Sequence, residues 1–224
     1  MYTQSKYRSK LYRDFRSIPP GEWRSLVRYY EKHESGIRQL DFDEFFEMLV
    51  AYTNALFETG AYEKHQLMSD AVIEASIMNN IASLNGQDIY RQVLFKKAAS
   101  CYHTSRLEQA DHILRELLRI DPDDQDSLFF LKKCVRKLKP GLMRKSVAAS
   151  VGLFLLSSLL VALEVLIVRN FYAEKAWLLE LLRNLIFALG LVSLAGGAWL
   201  HHWQAARTVE DFVLQLRQRQ APKV

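Results

Sequence analysis

The sequence predicts an all-α protein in which antiparallel helical hairpins are followed by a two-helix transmembrane hairpin. Three observations predict it. Nearly every segment before Lys139 repeats apolar residues at helical spacing between short breaks. Two long apolar runs, 146–168 and 177–200, then follow one another closely. The stretch leading into the first run is rich in Lys and Arg and contains no acidic residue. The mean hydropathy of −0.09 over 224 residues averages these two regions and describes neither.

Residues 1–40 form a basic and aromatic segment with a first helix. Tyr2, Tyr7, Tyr12, Phe15 and Trp23 alternate there with Lys6, Arg8, Lys10, Arg13, Arg16 and Arg24. That composition suits anionic lipid, an acidic protein face or a nucleic-acid backbone, and beside a membrane anchor the first two are expected. The first helix is predicted to open at Pro19-Pro20-Gly21-Glu22, since proline is tolerated in an opening turn, and to end near Ser35-Gly36. Asp41 can cap a second helix, whose Phe42, Phe45, Phe46, Leu49, Tyr52 and Leu56 recur at helical spacing until Thr59-Gly60. A third is predicted over 62–79, with Leu67, Ala71, Ile73 and Ile77 as its apolar positions, before Asn85-Gly86 breaks the chain. Helices over 88–104 and 107–119 come next. Asp121-Pro122-Asp123-Asp124 stops the second of these, and another helix spans 125–138.

The pair over 88–119 resembles a tetratricopeptide repeat, a family of helical hairpins of about 34 residues with small residues at the helix crossing and a proline at the end. With Pro122 as that proline, Ala98 stands at the small position of the first helix and Ala110 at the alanine of the second. Leu94, Leu114 and Leu117 fall on apolar positions of the family. The resemblance covers 91–124. It departs at Cys101, where an aromatic is usual, and at Ser105, where the turn often has glycine. A weaker repeat lies over 46–79, where Gly60-Ala61-Tyr62-Glu63 resembles the family's turn while His65 and Ser69 depart from its second helix. The two registers are 45 residues apart, which places about 11 extra residues around 78–87. The resemblance implies a domain over 41–139 that holds a protein partner, with Leu94, Ala98, Cys101, Ala110, Leu114, Leu117 and Pro122 building its packing and groove. So short an array also needs its first helix and the helix over 125–138 as caps.

Each run in 146–200 is long enough to cross a hydrocarbon core of roughly 30 Å at about 1.5 Å per residue. Lys132, Lys133, Arg136, Lys137, Lys139, Arg144 and Lys145 hold the first flank in the cytoplasm by the positive-inside rule and attract anionic headgroups. Both termini are then expected on the cytoplasmic side, in a bacterial inner membrane, with a short outer loop. No export signal is expected in the first 140 residues. Charge inside a span is costly, so Glu164 is expected to pair with Arg183, with Glu180 as competitor. Ala148 with Gly152 and Ser193 with Gly197 keep the small-xxx-small spacing of close helix packing, also a route to homo-oligomers. Tyr172, Trp177, Trp199 and Trp203 suit an interfacial belt. Within a cytoplasmic amphipathic tail over 204–224, a short helix is predicted from Thr208 to Gln220 with a Thr208-x-x-Asp211 cap and with Val209, Phe212, Val213 and Leu216 on its apolar face.

No motif for catalysis is present: no Gly-rich phosphate loop, no G-x-S-x-G, no C-x-x-C and no H-E-x-x-H. Cys101 and Cys134 read as buried thiols, and the adjacent His201 and His202 as interfacial polarity. His103 and His112 could meet across one hairpin, though a metal site is not expected there. Two acidic clusters, Asp41 to Glu47 and Asp121 to Asp126, sit at helix starts, where the macrodipole favours negative charge, and lack the glycine and distal glutamate of a calcium loop. The expectation is a non-enzymatic membrane-anchored adaptor without cofactor. A membrane effector whose hairpin oligomerises and permeabilises the bilayer is the alternative, and an accessory subunit of a larger membrane complex the second.

Overall fold

The computed structural model describes residues 9–81, 83–84, 87–138, 141–163, 166 and 176–220. The chain is all-α, apart from one pair of two-residue strands among the described residues, and divides into two compact units, Met1–Phe130 and Leu131–Val224.

In the first unit the helices are α1 (Lys10–Arg16), α2 (Trp23–Lys32), α3 (Glu34–Ile37), α4 (Phe42–Glu58), α5 (Tyr62–Met78), α6 (Ile89–His103) and α7 (Leu107–Ile120). α8 (Gln125–Leu138) begins in this unit and ends in the second. From α4 to α7 each helix packs on the next, as short connections between hairpin arms require. α2 lies on α4, and α1 touches both. The strands β1 (Ser83–Leu84) and β2 (Gln87–Asp88) pair antiparallel ahead of α6, inside the stretch expected to carry the extra residues. Asp88 caps α6 by accepting the backbone N–H of Arg91.

The turns explain why the chain reverses where it does. Gly60 and Ser105, 45 residues apart in sequence, both sit at positive φ, +79° and +61°. Behind each, an amide reaches five residues back, Ala61 N–H to Leu56 O at 2.9 Å and Arg106 N–H to Cys101 O at 2.8 Å. This is the left-handed C-terminal motif that satisfies carbonyls a helix end leaves free. Asn80, at φ +53°, ends α5 the same way through Ile81 N–H to Ser76 O.

The 45-residue register also governs burial. Leu49, Thr53, Leu56, His65, Ser69 and Val72 of the first hairpin are buried, as are Leu94, Ala98, Cys101, Ala110, Leu114 and Leu117 of the second. The expected apolar face of α5 is corrected by this arrangement: Leu67 and Ile77 are about two-thirds exposed, while His65, Gln66, Ser69, Val72 and Ser76 point inward. The fully buried positions of α5 are mostly polar, while the expected Ala71 and Ile73 are partly buried against the core.

The amino-terminal segment is corrected in the same way. Tyr12 and Phe15 are buried in the core with Tyr30, Phe46 and Leu49 rather than displayed for a partner. Tyr12 Oη donates to Glu47, Arg16 pairs with Glu47 at 3.2 Å, and Ser9 N–H donates to Glu44 at 2.9 Å. The first acidic cluster therefore docks α1 besides lying at a helix start. In the second, Arg91 bridges Asp121 and Asp124 at 3.0 and 3.4 Å.

In the second unit, α9 (Gly141–Leu163) and α10 (Ala176–Gln220) pack along each other. Met143–Leu163 and Glu180–Gln218 are long and apolar enough to cross a membrane, and only 11% of the most apolar stretch of each is buried. The seam between them is made by small residues. A Cβ at Gly197 would overlap the Ser146 side chain, and one at Gly190 would come within 2.7 Å of the Phe154 ring. Of the expected small pairs, Gly197 lies in this seam, whereas Gly152 faces open space.

The tail is not a separate helix. α10 runs unbroken through 45 residues, roughly 68 Å at 1.5 Å per residue. Thr208 Oγ1 donates to Gln204 O inside the helix, so it caps nothing. Its apolar face does form as expected: Val209, Val213 and Leu216 are buried, in line with Ala205. The end of α8 runs antiparallel to it, with Lys132 Nζ 2.8 Å from Glu210 and Arg136 Nη1 3.1 Å from His202 Nδ1.

Candidate protein-binding groove

α2, α3, α4 and α5 enclose a groove of about 490 Å³ in the first unit. Its floor is apolar and aromatic, from Phe45, Leu49, Met68, Ala71 and Ala75 together with Tyr30 and Tyr52, whose rings stack at 4.1 Å and 6°. Each residue owes its place to helical spacing. Phe45, Leu49 and Tyr52 lie on one face of α4, and Lys64, Met68, Ala71 and Ala75 on the facing side of α5. At the mouth Met78 is 77% exposed. An exposed, conformationally adaptable thioether beside stacked aromatics is a surface that suits apolar side chains.

The rim is charged and paired. Lys64 Nζ lies 2.6 Å from Glu31, which also accepts from Tyr52 Oη at 3.1 Å, and Arg38 Nη2 lies 2.6 Å from Glu34. The hydrogen bond from Lys64 holds the Glu31 carboxyl below the usual carboxylate range, and the same contact raises the ammonium. Burial, helped by Glu34, pushes the Tyr30 phenol up to about 12. Both tyrosines are neutral donors at neutral pH.

A second groove of about 490 Å³ lies between α5, α6 and α7, lined by Gln66, Leu67, Asp70, Lys97, Arg106 and His112 among others. Below it runs a hydrogen-bonded chain. Arg106 donates to Gln66 at 3.0 Å, Gln66 to Thr104 at 2.9 Å, and Thr104 to the Ser100 carbonyl at 3.0 Å. Ser100 Oγ lies 2.8 Å from His65 Nδ1, and Ser69 Oγ donates to the His65 carbonyl at 2.7 Å. Burial, with Lys96 and Lys97 nearby, pushes His65 down to about 4. Among the described residues, every buried side-chain nitrogen and oxygen has a partner.

Of the residues expected to build packing and groove, Leu94, Ala98, Ala110, Leu114, Leu117 and Pro122 are buried between helices. Their side chains are packed inside the hairpin rather than exposed on its surface. Cys101 lines the second groove, and burial raises its thiol. Tyr30, Tyr52, Lys64, Met68 and Met78 are groove residues that no sequence motif marks; the local signal nearest to them is the helical spacing of Phe45, Leu49 and Tyr52 in α4.

Elsewhere, Cys101 and Cys134 are buried thiols, as expected. His103 stacks on Tyr62 at 4.5 Å, and His112 is exposed beside Glu116, so they do not converge. No group of three His, Cys, Asp or Glu among the described residues is placed to hold a metal ion. Glu164, Lys139 and Tyr172 lie outside the described residues, and with Glu164 lies the expected pair. Arg183 is half-buried with Nε 3.4 Å from Asn184 Oδ1, and Glu180 is exposed. Lys132 and Arg136 are engaged by Glu210 and His202, while Lys133, Lys137, Arg144 and Lys145 are exposed. Comparison with protein-family models, curated proteins and solved structures finds no match to this chain.

Proposed function

We propose that this protein is a non-enzymatic, membrane-anchored adaptor: α9 and α10 cross a bilayer, and tetratricopeptide-like hairpins on the cytoplasmic side hold an apolar-faced segment of a protein partner. The observation that carries the reading is the groove of Tyr30, Tyr52, Met68 and Met78 with its charged rim, in the same chain as two long apolar helices that remain mostly uncovered. The shared 45-residue register of burial and turns supports the repeat assignment. Basic residues on the flank of α9 support cytoplasmic termini.

Capture from solubilised membranes with the full-length chain tests it. Met68→Glu, which puts charge on the groove floor, should reduce recovery of the captured partner at least tenfold while leaving circular dichroism unchanged. Equal recovery by Met68→Glu and the unaltered chain would defeat groove binding. Dye leakage from vesicles holding the full chain would point to the effector reading instead.

A further inference from the structure

The cytoplasmic end of the hairpin combines three features that together describe one ligand. The seam fixes the depth of each residue: with Ser146 against Gly197 and Phe154 against Gly190, Arg144 and Lys145 lie level with Trp199. Arg144 and Lys145 are exposed, and neither forms an ion pair among the described residues. No carboxylate neighbours them in sequence, because none occurs between Asp126 and Glu164 or between Glu180 and Glu210. Beside them, Met143, Arg144, Val147 and Ala148 line a shallow apolar groove of about 360 Å³. On α10, Trp199 and Trp203 stack at 6.2 Å and 7°, and the Arg207 guanidinium lies 3.6 Å over the Trp203 ring.

We infer that Arg144 and Lys145, with the groove under Arg144, seat an anionic phospholipid. The cations meet the phosphate and its anionic headgroup, an acyl chain lies on Val147 and Ala148, and the tryptophan pair marks the same interfacial depth. A soluble anion would use the cations but not the apolar groove. A nucleic acid would use neither the groove nor the uncovered Val151 beyond it.

The inference rests on the reading that α9 and α10 cross a bilayer, and alkaline carbonate extraction tests that premise separately. Release from membranes would defeat both readings; retention without lipid preference would defeat this one alone. The measurement is native mass spectrometry of the full-length chain in detergent with equimolar phosphatidylglycerol and phosphatidylcholine. Each basic side chain near an anionic surface contributes roughly fivefold, so phosphatidylglycerol adducts should exceed phosphatidylcholine adducts at least fivefold. Arg144→Gln with Lys145→Gln should bring the two lipids within twofold, whereas Arg144→Lys with Lys145→Arg, and Arg119→Gln in the first unit, should keep the preference. A preference that survives the glutamine pair overturns the inference, as does its loss in the Arg119→Gln control. Glycerol 3-phosphate or an RNA oligomer competing as well as the diacyl lipid also overturns it.

Discussion

The hairpin α4–α5 and the hairpin α6–α7 share one backbone plan and fill it with opposite chemistry. At matched positions the first has Thr53, His65 and Ser69 where the second has Ala98, Ala110 and Leu114, and all six are buried. Both reverse through a residue at positive φ followed by the same five-residue closing bond. The comparison teaches that matching turns can hold one backbone plan while both polarity and side-chain volume change at matched buried positions. Polarity inside is tolerated when hydrogen bonds satisfy it. The α5–α6 interface does so through the chain from Arg106 to His65, since an unpartnered buried polar group would cost about 1–3 kcal/mol.

Truncating the matched pair should expose the difference most strongly. Leu114→Ala removes a fully buried side chain and should cost about 3–4 kcal/mol, whereas Ser69→Ala, which loses a hydrogen bond and little volume, should cost about 1 kcal/mol. Urea unfolding of the full chain in detergent would measure both, and equal losses would dissolve the contrast.

Acid should act through the polar hairpin. With His65 held at about 4 when folded and near 6.5 when unfolded, the unfolded chain takes up a proton between these values that the folded chain refuses. The stability contributed by keeping His65 neutral is thus complete above pH 6.5 and declines by at most about 3 kcal/mol on the way to pH 4. His65→Gln should flatten that slope in a pH series of unfolding midpoints. A slope unchanged in the variant would assign the dependence to other groups.

The turns should give the smallest effect, with opposite signs. Ser105→Gly relieves a left-handed residue and should stabilise by about 0.5–1 kcal/mol, while Gly60→Ala should cost about 1 kcal/mol even though its new Cβ meets open space. Thermal midpoints moving in the same direction would break the equivalence of the two turns.

Much of this was legible in the sequence because it depends on near neighbours. α8 falls on its predicted bounds, and α6 and α7 lie within one residue of theirs. The 45-residue offset between the registers over 46–79 and 91–124 is also the offset between the buried positions of the two hairpins. The groove was less legible. Tyr30 and Tyr52 come from different helices, and only their packing brings the rings to 4.1 Å.

By itself the sequence determined, to within a residue or two, where the helices between Asp41 and Leu138 start and stop and which two are long and apolar enough to cross a membrane, since capping, turn residues and hydropathy act over a few positions. Only the tertiary structure decided which side of α5 faces inward, that Tyr12 and Phe15 belong to the core, and that α10 continues through Gln220 without a break. Those outcomes depend on what another part of the chain offers. A polar face can be buried only if partners such as Ser100 and Thr104 lie opposite it, and no local pattern records where they will be.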